Sequence, residues 1–155
     1  MFEIESSAFT DGRPIPKRHT GEGENLSPPL SWRDAPPGTK ELALVCDDPD
    51  AAGEAPFVHW VLYRIPHGHR SIPEGSSGMG VAGRNDFGRS GWGGPMPPPG
   101  SGPHHYRFRL YALDAPLELA PGATKQELQA AIDGHVLAEA GIVGTYERKT
   151  RAARS

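Results

Sequence analysis

The run Phe57-Val58-His59-Trp60-Val61-Leu62-Tyr63-Arg64-Ile65 does most to limit how this chain can fold. Read with a two-residue period, Phe57, Val61, Tyr63 and Ile65 share one face and Val58, Trp60 and Leu62 the other, so both faces are apolar. A strand of this kind belongs in the middle of a sheet covered on both sides, because either face left in water would expose several large side chains. By the same count His59 lies on the first face and is expected to be largely buried.

Two further segments read as strands. Glu41 to Cys46 is short, apolar and rich in β-formers. Tyr106 to Asp114 alternates Tyr106, Phe108, Leu110 and Ala112 with Arg107, Arg109, Tyr111 and Leu113, which puts Tyr106 on the more apolar face. Phe2 to Phe9 and Ile142 to Tyr146 carry weaker strand patterns. One helix is predicted: Thr124 and Glu127 have the spacing of a capping box, and Leu128, Ala131, Ile132, His135 and Val136 follow at helical intervals until Gly141. Several strands, turn clusters between them and one late helix predict a mainly β fold, a two-sheet antiparallel β-sandwich with a C-terminal helix. A chain of 155 residues is long enough for one domain, 1–155, with a core that needs no metal or disulfide. Residues 148–155 read as a solvated basic tail.

Between Gly75 and Pro103 the pattern changes, and Gly and Pro fill 15 of 29 positions. Phe87, Trp92 and Met96 give the same run apolar anchors, so it reads as a fixed functional loop rather than a linker. The net charge is −3 and the basic residues are scattered, which leaves no stripe for nucleic acid and no polybasic membrane patch. Cys46, the only cysteine, excludes an intrachain disulfide and is expected to be a small buried hydrophobe. The N-terminus has no signal-peptide pattern and no segment has the roughly 20 apolar residues of a membrane span. A cytoplasmic protein is the expectation.

Where the loop becomes a strand, His104-His105-Tyr106 sets two imidazoles and a phenol side by side; Asp48-Pro49-Asp50-Ala51 and His59 supply further polar groups, and together they suggest a pocket. Taken in order, several fragments make the chain resemble the phosphatidylethanolamine-binding protein family, specifically its bacterial Raf kinase inhibitor-like branch. They are Asn25-Leu26-Ser27-Pro28-Pro29-Leu30-Ser31-Trp32, Asp48-Pro49-Asp50-Ala51, His59-Trp60-Val61, Gly83-Arg84-Asn85-Asp86-Phe87-Gly88, Gly91-Trp92-Gly93-Gly94-Pro95-Met96-Pro97-Pro98, Gly102-Pro103-His104-His105-Tyr106 and Gly134-His135-Val136-Leu137. The resemblance implies a β-sandwich with a small pocket at one end for a phosphate-bearing or other anionic group. Asp48 and His59 would form one wall, His104 and Tyr106 another, and the backbone around Gly94, Met96 and Pro97 the rim. It also implies a site without cofactor or metal, and a protein partner of kinase or protease type. His105, Ala52 and Met96 stand where family members often have Arg, Pro and Cys, departures that bear on pocket shape and selectivity.

On chemistry alone, His59, His104, Tyr106 and backbone N–H groups offer donors without a permanent cation, so a phosphate monoester would be held modestly by hydrogen bonds. Asp48 would accept from one imidazole and fix its tautomer. The competing reading is a metal-dependent hydrolase or oxygenase with Asp48, His59 and His104 as ligands. An ordinary hydrolase lacks a Gly-x-Ser-x-Gly elbow, and none of Ser76, Ser77, Ser90 and Ser101 comes with a recognisable base and orienting acid. Asp86-Phe87-Gly88 imitates a kinase magnesium motif without the rest of a kinase. His19, His67, His69 and His135 are expected to face solvent or lie on the helix face. A non-enzymatic binding protein is the reading adopted. The surface from Trp92 to Pro99 is read as exposed, suited to a protein partner or a homodimer.

Overall fold

Strand β4 (Glu41–Asp48) has seven of its eight residues buried, and β5 (Phe57–Pro66) and β8 (His104–Leu113) flank it. The computed structural model describes residues 1–76 and 79–149. Around this centre lie β1 (Glu3–Glu5), β2 (Arg13–Pro14), β3 (Leu30–Arg33), β6 (Ser71–Ile72), β7 (Val81–Ala82) and β9 (Val136–Tyr146), with helix α1 (Lys125–Ile132). A six-stranded sheet runs in the order β2-β9-β8-β4-β5-β7 and a three-stranded sheet in the order β1-β3-β6. Every pairing is antiparallel except β2 with β9, where Arg13 and Pro14 lie parallel to Gly144 and Thr145. Those two strands come from opposite ends of the chain, so no hairpin dictates their direction.

The large sheet is apolar on both faces because it separates two cores. Leu42, Leu44, Trp60, Phe108 and Leu110 meet Ile4, Leu30, Trp32 and Ile72 between the sheets. Ala43, Val45, Val61, Tyr63 and Leu113 meet Leu128 and Ile132 of the helix on the other side. Simple alternation misplaces part of β5. Its register against β4 slips twice, between Leu42 and Leu44 and between Cys46 and Asp47. Val58 therefore joins Val61 and Tyr63 on the helix side, while Trp60, Leu62 and Ile65 face the small sheet. Each slip is an extra residue in β5, and Arg64 takes a left-handed φ of 55° at one of them.

The capping box forms as predicted, Thr124 Oγ1 accepting from Glu127 N and Glu127 Oε1 from Thr124 N. The helix then stops at Ile132, well short of Gly141. Gly134 takes φ 81° and His135 N donates to the Ile132 carbonyl, so the chain reverses and continues as β9. His135 and Val136 merely coincide with the helical spacing. His135 bonds Asp114 on the surface, and His19, far from facing solvent, is buried with Nδ1 2.9 Å from the Leu26 carbonyl. Arg148 is no solvated tail either: its carbonyl accepts from Gly100 N. Residues 150–155 lie outside the described residues, as does Ser77. The proposed Trp92–Pro99 surface is broken up, since Gly93, Gly94, Pro95 and Pro97 are buried and Trp92 stacks on Phe108 at 5.9 Å.

Asp47, fully buried, ties the helix to the sheet. It accepts from Arg107 Nε at 2.9 Å, Arg109 Nη2 at 3.0 Å and Lys125 Nζ at 2.7 Å. Burial alone would raise its carboxyl, but the bonds from Arg107 and Lys125 outweigh that and hold it below the usual carboxylate range. Its ionised form thus contributes stability above the unfolded-state value of about 3.9 and loses it as pH falls through the lower folded value. Asp47→Asn leaves the buried Lys125, and the half-buried Arg107 and Arg109, without their carboxylate and is expected to cost about 3 kcal/mol at pH 7. In denaturant titrations the deficit should narrow below about pH 4, where the wild-type carboxylate itself protonates.

At the parallel edge, a Cβ on Gly144 would stand 2.4 Å from Ile15 Cγ1 and 2.8 Å from Phe9, whereas on Gly141 its nearest neighbour would be 3.6 Å away. Gly144→Ala should therefore destabilise by about 1–3 kcal/mol through overpacking. The matched Gly141→Ala change should stay within about 0.5 kcal/mol in the same thermal melts.

Candidate functional site

At one end of the large sheet β4 finishes in two aspartates that point opposite ways. Asp47 faces the helix, and Asp48, also buried, faces a cavity of about 270 Å³. Asp48, His59, His104 and Tyr106 line that cavity, with Phe57, Phe87, Met96 and Pro97 supplying apolar surface. Asp48 Oδ2 accepts from His104 Nδ1 at 2.6 Å, and both groups are almost wholly shielded from water. An ionised carboxylate only accepts, so the proton sits on Nδ1 and Nε2 is turned elsewhere. The other carboxylate oxygen accepts from Asp50 N at 2.8 Å, which closes the turn after β4.

His59 reaches the cavity because it is the extra residue of one β5 slip: Cys46 pairs with Trp60 and Asp47 with Val58, leaving His59 opposite nothing. The bulge turns it toward Tyr106, with ring centroids 5.1 Å apart, on the side Trp60 also occupies. Its Nδ1 donates to the Gly93 carbonyl at 2.6 Å, and its own carbonyl accepts from Gly93 N at 3.0 Å. Burial holds the imidazole below its ordinary range, more strongly than the Gly93 bond and the Asp48 charge oppose it. His59 is therefore a neutral ring whose Nε2 carries a lone pair.

Tyr106 is buried to 1% exposure, and its hydroxyl has no hydrogen-bond partner among the described residues. Burial, with the Asp48 charge nearby, pushes the phenol far up, so it stays protonated and able to donate. Met96 and Pro97 stand at the cavity as the rim reading requires, but Gly94 does not reach it. Its N–H is taken by Asn25 Oδ1 at 2.9 Å, and a Cβ there would strike the His19 carbonyl, so Gly94 packs the loop onto the 19–25 segment.

Four features escape a reading of the sequence. Phe87 lines the cavity because Asp86 Oδ2 accepts from Val58 N, fixing the Asp86-Phe87-Gly88 turn beside His59. Arg148 places Nη1 3.8 Å from Met96 Sδ, adding a permanent cation at the rim. His105 donates to Asp50 through both N–H and Nδ1, the latter at 2.7 Å, and the side-chain bond draws the Asp50 carboxyl down. Ser101 stands with Oγ 3.2 Å from His104 Nε2. The metal reading finds no support: Asp48 and His104 are spent on each other, and among the described residues no three His, Cys, Asp or Glu side chains gather as an ion would need.

Residues 5–147 match the family described as phosphatidylethanolamine-binding protein. A protein of Methanothermobacter thermautotrophicus named UPF0098 protein is 47% identical over 153 residues, covering 95% of this chain and 99% of its own. One of Mycobacterium tuberculosis, named as a lipoprotein, LppC, is 46% identical over 145 residues, 93% of this chain and 71% of that one. Among the described residues no helix is long and apolar enough to cross a membrane. The crystal structure of a phosphatidylethanolamine-binding protein homologue from Chlamydia trachomatis has a TM-score of 0.91 at 38% identity, covering 96% of this chain and 98% of the other. With nearly its whole length matched and its fold shared at that level, this chain belongs to the phosphatidylethanolamine-binding protein family.

Proposed function

We propose that the cavity binds a small oxyanionic group, a phosphate monoester or its like, carried on an apolar body. The observation that supports this is the convergence of an unpartnered Tyr106 hydroxyl with a His104 ring committed through Nδ1 to Asp48. The Tyr106 hydroxyl donates to an oxygen atom and the His104 Nε2 lone pair accepts a hydrogen, while Phe57, Phe87 and Met96 receive apolar substituents. One Asp48 oxygen accepts from His104 and the other from Asp50 N, and Arg148 adds a cation at the rim.

Neutral His59 sharpens the preference. Its Nε2 accepts a proton rather than giving one, which suits a monoester carrying one hydrogen of its own. Such a hydrogen is lost as pH rises through about 6. His59, pushed below its ordinary range by burial, favours the neutral ring that accepts this hydrogen, so binding strengthens toward acid as the ligand gains it. Calorimetric titration with phenyl phosphate should give a tighter Kd at pH 6 than at pH 8. Tyr106→Phe, which removes only the hydroxyl, should weaken binding about 5- to 10-fold, close to one hydrogen bond. Equal affinity at the two pH values, or an unaltered Kd in the variant, would remove this reading.

A further inference from the structure

The fold supplies Ser101 with the two partners the sequence withholds. His104 lies three residues on, yet the turn at Gly102, with φ 84°, brings Ser101 Oγ to 3.2 Å from His104 Nε2. The same ring gives its other nitrogen to Asp48 at 2.6 Å. Hydroxyl, imidazole and carboxylate thus stand in hydrogen-bonded series, with the carboxylate buried and Ser101 open to solvent. That is the arrangement of an activated nucleophile, a base and the acid that orients the base.

Two details bear on whether the series can work. Ser101 Oγ also lies 2.8 Å from the Pro98 carbonyl, so one hydroxyl proton serves two acceptors; rotation about Cβ–Oγ transfers it from the carbonyl to Nε2 without moving the oxygen. The next N–H along the chain, at Gly102, has no acceptor among the described residues, and the amide following a reactive serine is where an oxyanion donor is wanted. Ser101 does not itself line the cavity, but Pro98 and His104, the two residues its Oγ contacts, both do.

We infer that Ser101, His104 and Asp48 act together in acyl transfer, with small carboxylic esters bearing an apolar group as substrates. Ser101 Oγ bonds to the ester carbonyl carbon as its proton passes to His104 Nε2. The tetrahedral adduct collapses, the C–O bond to the alcohol breaks, and the alcohol leaves with the proton from Nε2. Water then attacks the acyl-serine, giving one proton to Nε2, which returns it to Ser101 Oγ as the carboxylic acid departs. Asp48 accepts from Nδ1 throughout and is a positioning residue.

This goes beyond ligand binding but uses the same pocket, so both are measured on one preparation. The full chain is mixed with p-nitrophenyl acetate, and separately with a fluorophosphonate probe. A burst of p-nitrophenol near one equivalent is expected, with the acetyl and phosphonyl groups on the peptide containing Ser101. Ser101→Ala, an exposed change whose folding is checked by its melting temperature, should abolish both. His104→Ala should slow acylation about 100-fold or more. A wild-type protein that binds phenyl phosphate yet shows neither burst nor labelling overturns the inference and leaves the binding proposal standing. A burst undiminished in Ser101→Ala, or acetyl found on another residue, also overturns it.

Discussion

The bond between Asp48 and His104 organises this end of the molecule. It joins the last residue of β4 to the first of β8, strands already paired in the sheet, and it lies almost entirely out of water. Breaking it would strand either a carboxylate or an imidazole in a place with little solvent to replace the partner. Because the ring cannot swing away, its second nitrogen has a fixed address, and every chemical property assigned to the pocket starts from that address. Asp47, one residue earlier, does the matching task on the opposite face, where three cationic side chains converge on it. A single strand end therefore sets both the helix-side packing and the pocket wall.

Polar capacity in the pocket is small and uneven. One carboxylate is hydrogen-bonded to an imidazole, a second imidazole is neutral with a lone pair, one phenol can donate, and most of the remaining surface is apolar. Such a site discriminates by proton position as much as by charge. On the proposed binding role, a ligand would bring a hydrogen to His59 and an acceptor to Tyr106, and a fully ionised group would meet only part of that demand.

Much of this was legible in the residues. The doubly apolar β5, the alternation of β8 and the Thr124 capping box are local patterns, legible from residues a few positions apart. The parity of β5 did not survive, since an inserted residue has no signature of its own: His59 looks like any other strand position until its neighbours across the ladder are known. The helix end was obscured because Gly134 punctuates a run whose spacing continues by accident through Val136. Strands β2, β3, β6 and β7 have two to four residues each, too few for any period to register. A pocket of Asp48, His59, His104 and Tyr106 was suggested by residue type and by resemblance, whereas Gly94, expected at the rim, lies outside the cavity because backbone donors leave no mark in a sequence. Ser101 escaped for a related reason: a contact three residues away inside a loop depends on φ at Gly102, not on residue type.

The sheet order has a bearing on how the molecule comes into being. β4 sits between β5, its neighbour in the chain, and β8, whose residues lie some sixty positions further along, as Asp47 and Arg107 do. A nascent polypeptide leaving the ribosome can form the β4–β5 hairpin early, yet one side of that hairpin waits for most of the remaining polymer to be made. Loop closure over such a distance is slow, which favours assembly on the millisecond-to-second scale typical of strand-rich topologies. The cavity end, built from both sides of that late seam, is thus completed only once β8 has been made, and a translation product ending before His104 would lack it.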